Sequence, residues 1–171
     1  MRKLGIVGGA SWNSTALYYD HINRGIGRAL GPTHSAKLII ESFDFFEYSA
    51  FHRADDLAGG NLMVVAAAKR LKVAGAEGLL LASNTMHRAI EAVEAATGLP
   101  VIDIRTTTAA RIAADGRNRI ALLGTRFTMT EPFARAPYEE RGIQVEELTP
   151  YWRAEVDRII YEELVAGRVV R

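Results

Sequence analysis

The run Gly78-Leu79-Leu80-Leu81-Ala82, followed at once by Ser83-Asn84-Thr85-Met86-His87, decides the fold. Such a short, continuous apolar run predicts a strand buried on both faces, as in a parallel sheet covered by helices. Leu4-Gly5-Ile6-Val7, closed by Gly8-Gly9, shows the same pattern near the start of the chain. Parallel sheets bind ligands at the carboxyl ends of their strands, so the loops after both runs are the first places to search for a site.

Outward from these two runs, strand and helix patterns alternate along the whole chain. This alternation predicts an α/β fold with a parallel sheet and helices on both faces. Ser14 or Thr15 is the expected N-cap of the first helix, and residues 43–53 are expected to be irregular. Further strands are predicted at residues 37–41, 119–123 and 145–148, and further helices at 61–74, 86–96, 106–114, 131–140 and 153–166.

The composition is that of a globular protein and argues against several classes of function. The chain has 171 residues, 49% of them hydrophobic and 24% charged, which is enough to bury a core. A net charge of +1 without a basic stripe favours neither nucleic acid nor a membrane as partner. The absence of cysteine excludes disulfides, thiolate metal sites and thiol catalysis by these residues. The apolar run after Met1 is too short for a signal peptide or a membrane span, so the expected location is the cytoplasm.

A weak internal repeat indicates two lobes. Residues 2–9 align with residues 118–125 at an offset of 116, and each segment leads from a strand through a glycine to a helix. Any two strand–glycine–helix units look alike, so chance similarity stays open. The repeat predicts two pseudo-symmetric, Rossmann-like α/β lobes, residues 1–104 and 105–171, of which the second is incomplete. A counterpart of Ser83 would then fall near position 199, and another βα unit is expected after residues 169–171.

Two loops at predicted strand ends offer polar groups to a small anion. Ser83, Asn84 and Thr85 can direct two hydroxyls and an amide at one carboxylate, and a helix N-terminus favours negative charge. The alternative is plain helix capping by Ser83 or Asn84. Residues 125–130 have the same character, with an ordinary strand-to-helix connection as the alternative.

The loop after the first predicted strand gives a weaker signal. Glycines in Gly8-Gly9-Ala10-Ser11 let a ligand approach the backbone, and the following helix start offers free N–H groups. The spacing is not G-x-G-x-x-G and no P-loop lysine follows, so nucleotide binding is disfavoured. The alternative is a tight turn before a capped helix.

Two further side chains are candidates. Arg53 suits bidentate recognition of a carboxylate, although an isolated arginine is usually a solvated surface residue. His87 is expected to pack or to orient its loop. The four histidines show no metal-binding spacing.

In combination, these segments resemble the cofactor-independent aspartate/glutamate racemase family, and most closely its broad-specificity amino-acid racemase branch. The motifs N-T-M-H and L-L-G-T-R-x-T-M, in this order, are fairly specific, and the resemblance spans the whole chain. The segments that carry it are LGIVGGASW (4–12), HSA (34–36), AGAEG (74–78), SNTMH (83–87) and ALLGTRFTM (121–129).

The resemblance implies a small amino-acid or carboxylate ligand, such as aspartate or glutamate. Two acid/base residues, one from each of two similar lobes, would face the α-carbon, so that one face loses a proton and the other gains one. Neither pyridoxal phosphate nor a metal would be needed. Ser83 occupies the first acid/base position, and the implied substrate-binding residues are Gly9, Ser11, Arg53, Asn84, Thr85, Thr125 and Thr128.

The sequence departs from the family pattern at both acid/base positions. The first usually holds cysteine or sometimes threonine, whereas a serine hydroxyl is a far weaker acid that needs a positioned base or a hydrogen-bond network. The second, a cysteine in a G-C-T-E-type motif, is absent from the 171 residues. We therefore expect racemisation by this chain to be weak or absent.

Two other functions remain open. A non-catalytic binder of a small carboxylate or amino acid would keep the polar loops without a thiol. A structural or assembly role would follow if absent strands left an apolar sheet edge or helix face uncovered, which favours formation of a homodimer.

Overall fold

In the computed structural model, which describes residues 1–168, the chain forms two compact units. The first comprises Met1–Ile102, and the second begins at Asp103. Each unit contains a parallel sheet with helices packed against it, which confirms the predicted α/β class. The expected βα unit after residues 169–171 lies outside the described residues. Within residues 1–168, no helix is both long enough and apolar enough to cross a membrane.

A four-stranded parallel sheet forms the centre of the first unit. Its strands are β1 (Leu4–Gly8), β2 (Leu38–Ser42), β3 (Gly78–Leu81) and β4 (Val101–Ile102). The strand order is β2-β1-β3-β4, so β1 and β3 occupy the middle. Gly8 pairs with Ser42, and Val7 pairs with Leu81. The carboxyl ends of three strands therefore meet at one edge.

Helices cover both faces of this sheet. They are α1 (Trp12–Leu30), α2 (Phe45–Arg53), α3 (Leu57–Val73) and α4 (Ile90–Thr97), with a 3₁₀ helix at Thr85–Ala89 before α4. Successive strand residues point to opposite faces. Val7, Leu79 and Leu81 therefore join the cluster that includes α3 and α4, whereas Ile6 and Leu80 pack against Tyr18 and Ile22 of α1.

The structure corrects three sequence-based expectations in the first unit. Residues 43–53 are not irregular, because Asp44 accepts the Phe46 N–H at 2.9 Å and caps α2. The helix predicted from residue 61 begins earlier, since Asp56 accepts the Gly59 N–H at 2.9 Å. The helix predicted at 86–96 begins as 3₁₀ turns and becomes α-helical only at Ile90.

The second unit is built on a two-stranded parallel sheet. Strands β5 (Arg119–Ala121) and β6 (Gln144–Glu146) pair directly, and Ile120 lies opposite Val145. Val145 forms a small core with Ala109, Tyr138 and Ile143. The helices are α5 (Ile104–Ala114), α6 (Arg126–Thr130), α7 (Pro132–Glu139) and α8 (Pro150–Ile159), and α8 continues into a π-helical turn at Ile160–Leu164.

The helices of the second unit also differ from the prediction. The helix predicted at 131–140 corresponds to α7. It is preceded by a helix that was not predicted, α6, and the two are separated because Glu131 is extended (φ −91°, ψ 144°) before Pro132. Thr149 caps α8 by accepting the Trp152 N–H at 3.4 Å, so the last helix begins earlier than predicted.

Candidate functional site

The candidate site of the first unit lies at the carboxyl ends of its middle strands. The Ala82 N–H donates to the Val7 carbonyl at 2.8 Å, and the Phe43 N–H donates to the Gly8 carbonyl at 3.0 Å. These bonds extend the strand ladders by one step, so the loops after β1, β2 and β3 leave the sheet side by side. Ser83 follows directly and is half-buried.

The loop between β1 and α1 is closed by its own hydrogen bonds. The Gly9 N–H donates to Thr15 Oγ1 at 2.9 Å, and the Asn13 N–H donates to Ser11 Oγ at 3.2 Å. Ser11 is therefore the N-cap of α1, and the predicted cap at Ser14 or Thr15 is wrong. The Ser11 hydroxyl keeps a proton that it can donate to a ligand, whereas the Gly9 N–H is already used.

Close packing accounts for the two glycines of this loop. Gly9 has φ +90°, and a Cβ there would overlap the backbone of Phe43. A Cβ on Gly8 would lie 2.5 Å from the side chain of Thr15. Neither position accepts a side chain, so the glycines are needed for the fold itself.

The Ser83 loop presents side chains that are not used for helix capping. Ser83 Oγ lies 3.0 Å from Thr85 Oγ1, and Thr85 is 5% exposed. Asn84 is exposed and, although it stands at the N-cap position, makes no side-chain cap hydrogen bond. The capping alternative is therefore wrong for Asn84. The following 3₁₀ helix has only five residues, so its dipole adds little to anion binding.

Two contacts fix the position of the Ser83 loop. Ser14 Oγ lies 3.1 Å from the Ala82 carbonyl, which ties the start of α1 to the end of β3. His87 Nδ1 lies 2.8 Å from the Ser83 carbonyl, and because a carbonyl only accepts, Nδ1 carries the proton. His87 is 2% exposed, so it orients the loop as predicted.

Tyr48 and Arg88 also belong to this site, although the sequence analysis did not identify them. Tyr48 is 3% exposed, and its phenol lies near the Thr85 hydroxyl and the positive charge of Arg88. Burial raises the pKa of Tyr48, and the neighbouring Thr85 hydroxyl and the positive charge of Arg88 partly offset that rise. The aromatic content of residues 43–53 was the available signal for Tyr48, but a helix was not expected there.

Arg53 makes its contacts within its own helix. It ends α2 and is exposed, with Nη1 donating to Ser49 Oγ at 2.6 Å and Nη2 donating to the Phe46 carbonyl at 3.2 Å. Its guanidinium carbon also lies 5.0 Å from the centre of the Phe46 ring. None of these contacts brings it to Ser83, so its role in binding a carboxylate stays a prediction.

The remaining candidates, Thr125 and Thr128, lie in the second unit. Thr125 is the N-cap residue of α6 but makes no side-chain cap hydrogen bond. Thr128 is 6% exposed, and its side chain would lie 2.8 Å from a Cβ on Gly124. Among the described residues of either unit, no group of three or more His, Asp or Glu side chains is arranged to hold a metal ion.

This chain is similar to a family of racemases and to solved structures of proteins with the same description. The model of the family described as Asp/Glu/hydantoin racemase matches residues 7–168. A candidate Asp/Glu racemase from Yersinia pestis has a crystal structure that is 42% identical, with a TM-score of 0.88 over 100% of this chain and 75% of that one. An aspartate racemase homologue from Pyrococcus horikoshii OT3 is 35% identical, with a TM-score of 0.77 over 98% of this chain and 74% of that one. The aspartate racemase of Picrophilus torridus shares the fold at 14% identity, with a TM-score of 0.74 over 98% of this chain and 71% of that one.

Proposed function

The chain belongs to the Asp/Glu/hydantoin racemase family, and from that premise we propose that it binds an acidic amino acid at the Ser83 loop and exchanges its α-proton without pyridoxal phosphate or a metal. Family membership supports a racemase-like function. The observation that carries the finer proposal is the pair of hydroxyls on Ser83 and Thr85, 3.0 Å apart, at the carboxyl end of a middle strand.

Each candidate residue has a proposed role. Ser83 accepts the α-proton, while the exposed Asn84 amide and the Thr85 hydroxyl hold the α-carboxylate. Ser11 donates its remaining hydroxyl proton to the ligand, and Gly9 contributes by close approach, because its N–H is bound to Thr15. In addition, Arg53 would pair with a side-chain carboxylate, and Thr125 and Thr128 are the other proposed substrate-binding residues.

The reaction is expected to be slow with serine at this position. A free thiol ionises near ~8.5 and supplies a usable thiolate at neutral pH, whereas a serine hydroxyl remains protonated. A well-matched general acid or base contributes ~10²–10⁴ in rate. No cysteine occurs in the 171 residues, so no thiol among them can substitute for Ser83. We therefore propose weak or absent turnover by this polypeptide.

The direct test is exchange of the α-proton in D₂O. The 171-residue polypeptide is incubated with L- and D-aspartate and L- and D-glutamate, followed by proton NMR and chiral chromatography. We expect slow exchange, its loss in Ser83→Ala and an increase in Ser83→Cys. Thr107→Cys is the matched control, because it places a thiol on an exposed residue of α5 in the second unit. Measurable exchange that is equal in the parent chain and in Ser83→Ala would contradict the role of Ser83.

A second function, non-catalytic binding of a small carboxylate, is favoured by one specific observation. The Asn84 side chain is exposed and does not cap the 3₁₀ helix, so it is accessible to a carboxylate even though position 83 lacks a thiol. Calorimetric titration with aspartate, glutamate and succinate separates the two functions. Saturable binding that Asn84→Ala weakens, without proton exchange, would identify a binder.

We also propose that the protein acts as a cytoplasmic homodimer. Strands β2 and β4 are the edges of the four-stranded sheet, and Ile40 and Ile102 on them are 38% and 48% exposed. Apolar edges favour association. Light scattering that shows a stable monomer at high concentration would contradict the dimer.

A further inference from the structure

A cavity in the second unit is lined by residues of α6 and α8. None of the described residues that line it is among those proposed to bind the substrate. Its volume is about 750 Å³, within the range of ~300–1,000 Å³ that is usual for small-molecule sites. Arg126 and Thr130 line it from α6, and the other lining residues belong to α8 and the π-helical turn. The cavity therefore has the size of a binding site, and its charged groups decide which ligand suits it.

Two charged side chains that line the cavity bind each other. Arg158 forms ion pairs with three carboxylates, at 2.7 Å to Glu155, 2.8 Å to Glu163 and 3.2 Å to Glu162. Glu162 is the one of these three that also lines the cavity. Because Arg158 and Glu162 belong to this network, the charges that remain for a ligand come from other residues.

Arg153 and Asp157 line the same cavity and keep charged groups that are not used. Within residues 1–168, the Arg153 guanidinium makes no hydrogen bond and no ion pair. Asp157 Oδ1 accepts the Arg126 N–H at 2.6 Å, but Oδ2 has no partner in the same part of the chain. The two residues stand four positions apart on one face of α8, and both are half-buried. The cavity thus offers a positive and a negative group side by side.

The remaining lining residues leave room for an apolar group. Pro150, Ala154 and Tyr161 contribute apolar surface along α8 and the turn that follows it. The guanidinium carbon of Arg126 lies 4.4 Å from the centre of the Phe127 ring, an attractive arrangement for a cation. The charge of Arg126 adds to that of Arg153, so a ligand carboxylate is favoured over a second cation. The volume also exceeds what an ammonium group and a carboxylate need by themselves.

We propose that this cavity binds an α-amino acid with a bulky apolar side chain, whose carboxylate pairs with Arg153 and whose ammonium group pairs with Asp157. A ligand with both charges satisfies both half-buried groups at once, whereas an anion or a cation alone leaves one of them unpaired. The apolar side chain would lie against Ala154 and Tyr161. The site belongs to the second unit, and the proposal holds whether or not the Ser83 loop binds an acidic amino acid.

Equilibrium dialysis with radiolabelled L-phenylalanine tests the proposal on the unaltered 171-residue chain. Two competitors separate the charges, because 3-phenylpropionate keeps only the carboxylate and phenethylamine keeps only the ammonium group. We expect saturable binding of L-phenylalanine, and binding of each competitor that is about three- to ten-fold weaker, since each lacks one ion pair. No binding of L-phenylalanine, or equal affinity for all three compounds, would overturn the proposal.

Arg153→Ala removes the partner of the carboxylate. We expect L-phenylalanine to bind this variant about three- to ten-fold more weakly and phenethylamine to bind it no more weakly than the unaltered chain. Arg117→Ala is the matched control, because Arg117 is an exposed arginine of the same unit that lies outside the cavity and has no ion pair within residues 1–168. Equal weakening by the two variants would overturn the proposal. Weakening by Asn84→Ala instead of Arg153→Ala would place the amino acid at the Ser83 loop, with the same consequence.

Asp157→Asn tests the other charge and keeps an oxygen that can accept the Arg126 N–H. We expect it to weaken the binding of L-phenylalanine about three- to ten-fold, while 3-phenylpropionate binds at least as tightly as before. Glu140→Gln is the matched control, because Glu140 is an exposed acid of the same unit outside the cavity. Equal effects of the two variants would contradict the role of Asp157.

The remaining outcomes are also decisive. Circular dichroism establishes that each variant is folded, and if one is not, the competitor series on the unaltered chain still decides. Binding of L-phenylalanine that depends on Arg153, without proton exchange on aspartate or glutamate, would refute only the racemase function. Proton exchange without binding of L-phenylalanine would refute only this second site.

Discussion

The junction between β1 and α1 and the junction between β5 and α6 begin alike. In each, a glycine at or shortly after the strand end lies close to a threonine side chain of the following helix. A Cβ on Gly8 would lie 2.5 Å from Thr15, and a Cβ on Gly124 would lie 2.8 Å from Thr128. Both helices also lead, directly or after one more helix, to a strand that pairs in parallel with the first. The two segments of the internal repeat, residues 2–9 and 118–125, lie at these two junctions.

The two junctions differ in how their polar groups are satisfied. Residues 8–15 close their hydrogen bonds locally, through the Gly9–Thr15 and Ser11–Asn13 pairs. In the second junction, the Arg126 N–H donates to Asp157 Oδ1 at 2.6 Å, from a residue on α8. Thr125 Oγ1 is buried and has no hydrogen-bond partner among the described residues. The first junction is therefore a local unit, whereas the second depends on a distant helix.

Gly9→Ala should have the largest effect on stability. Gly9 has no equivalent in the second junction, where the aligned residue is Thr125 with φ −61°. The new Cβ would overlap the Phe43 backbone at φ +90°, so we expect a loss of about 3 kcal/mol or more in unfolding free energy. Urea titration provides the measurement. Gly98→Ala is the control, since its φ is +66° but nothing lies within 4 Å, and about 1 kcal/mol is expected. Equal losses would show that crowding at Gly9 is unimportant.

Gly8→Ala and Gly124→Ala compare the shared glycine–threonine contact directly. We expect losses of about 2 and about 1 kcal/mol, because the Cβ contact is shorter at Gly8 and Thr15 is also held by Gly9. Fluorescence of single-tryptophan variants separates the two units, because the two tryptophans, Trp12 and Trp152, lie on α1 and α8. A larger loss of unfolding free energy for Gly124→Ala than for Gly8→Ala would contradict this expected order.

Thr15→Val and Thr125→Val test the difference in hydrogen bonding at constant side-chain shape. Thr15→Val leaves the buried Gly9 N–H without its acceptor, so we expect a loss of about 1–3 kcal/mol. Thr125→Val removes a buried hydroxyl that has no hydrogen-bond partner among the described residues, so the change should be about zero or stabilising. Thermal unfolding gives both values. A large loss from Thr125→Val would show that its hydroxyl does contribute.

Ser11→Ala and Asp157→Ala should have small effects, since each removes one cap acceptor at a partly exposed helix start. About 1 kcal/mol is expected for each. Only the Asp157 effect should weaken as salt rises, because only that acceptor is charged. Asp157→Asn is the control that keeps an acceptor oxygen, and its loss should be smaller. A salt-independent Asp157→Ala effect would contradict an electrostatic contribution.

The parts of the fold that the sequence predicted best are those that local pattern controls. The predicted strands at 4–7 and 78–82 correspond to β1 and β3, because an apolar run in an α/β chain is buried on both faces. Helix α2 was missed because its aromatic residues favour a helix only weakly. Its position depends on packing instead, since Tyr48 stacks on Phe43.

The features of the candidate site can also be divided into those that the sequence predicted and those that it did not. The polar character of the Ser83 loop and its position after a buried strand follow from the sequence, and the racemase family that its motifs resemble is confirmed. The neighbours of the loop do not follow from the sequence. Tyr48 and Ser14 lie far away along the chain, and their roles depend on how α2 and α1 pack beside β3.

By itself, the sequence determined the α/β class, the polar loops at the strand ends and the family. Local periodicity and short motifs are sufficient for these features, because they depend on residues close together in the chain. Only the tertiary structure decided that Gly9 is crowded by Phe43, that Ser14 contacts the end of β3, and that Asp157 supports α6. These contacts join residues from different elements, so they exist only once the sheets and helices have packed.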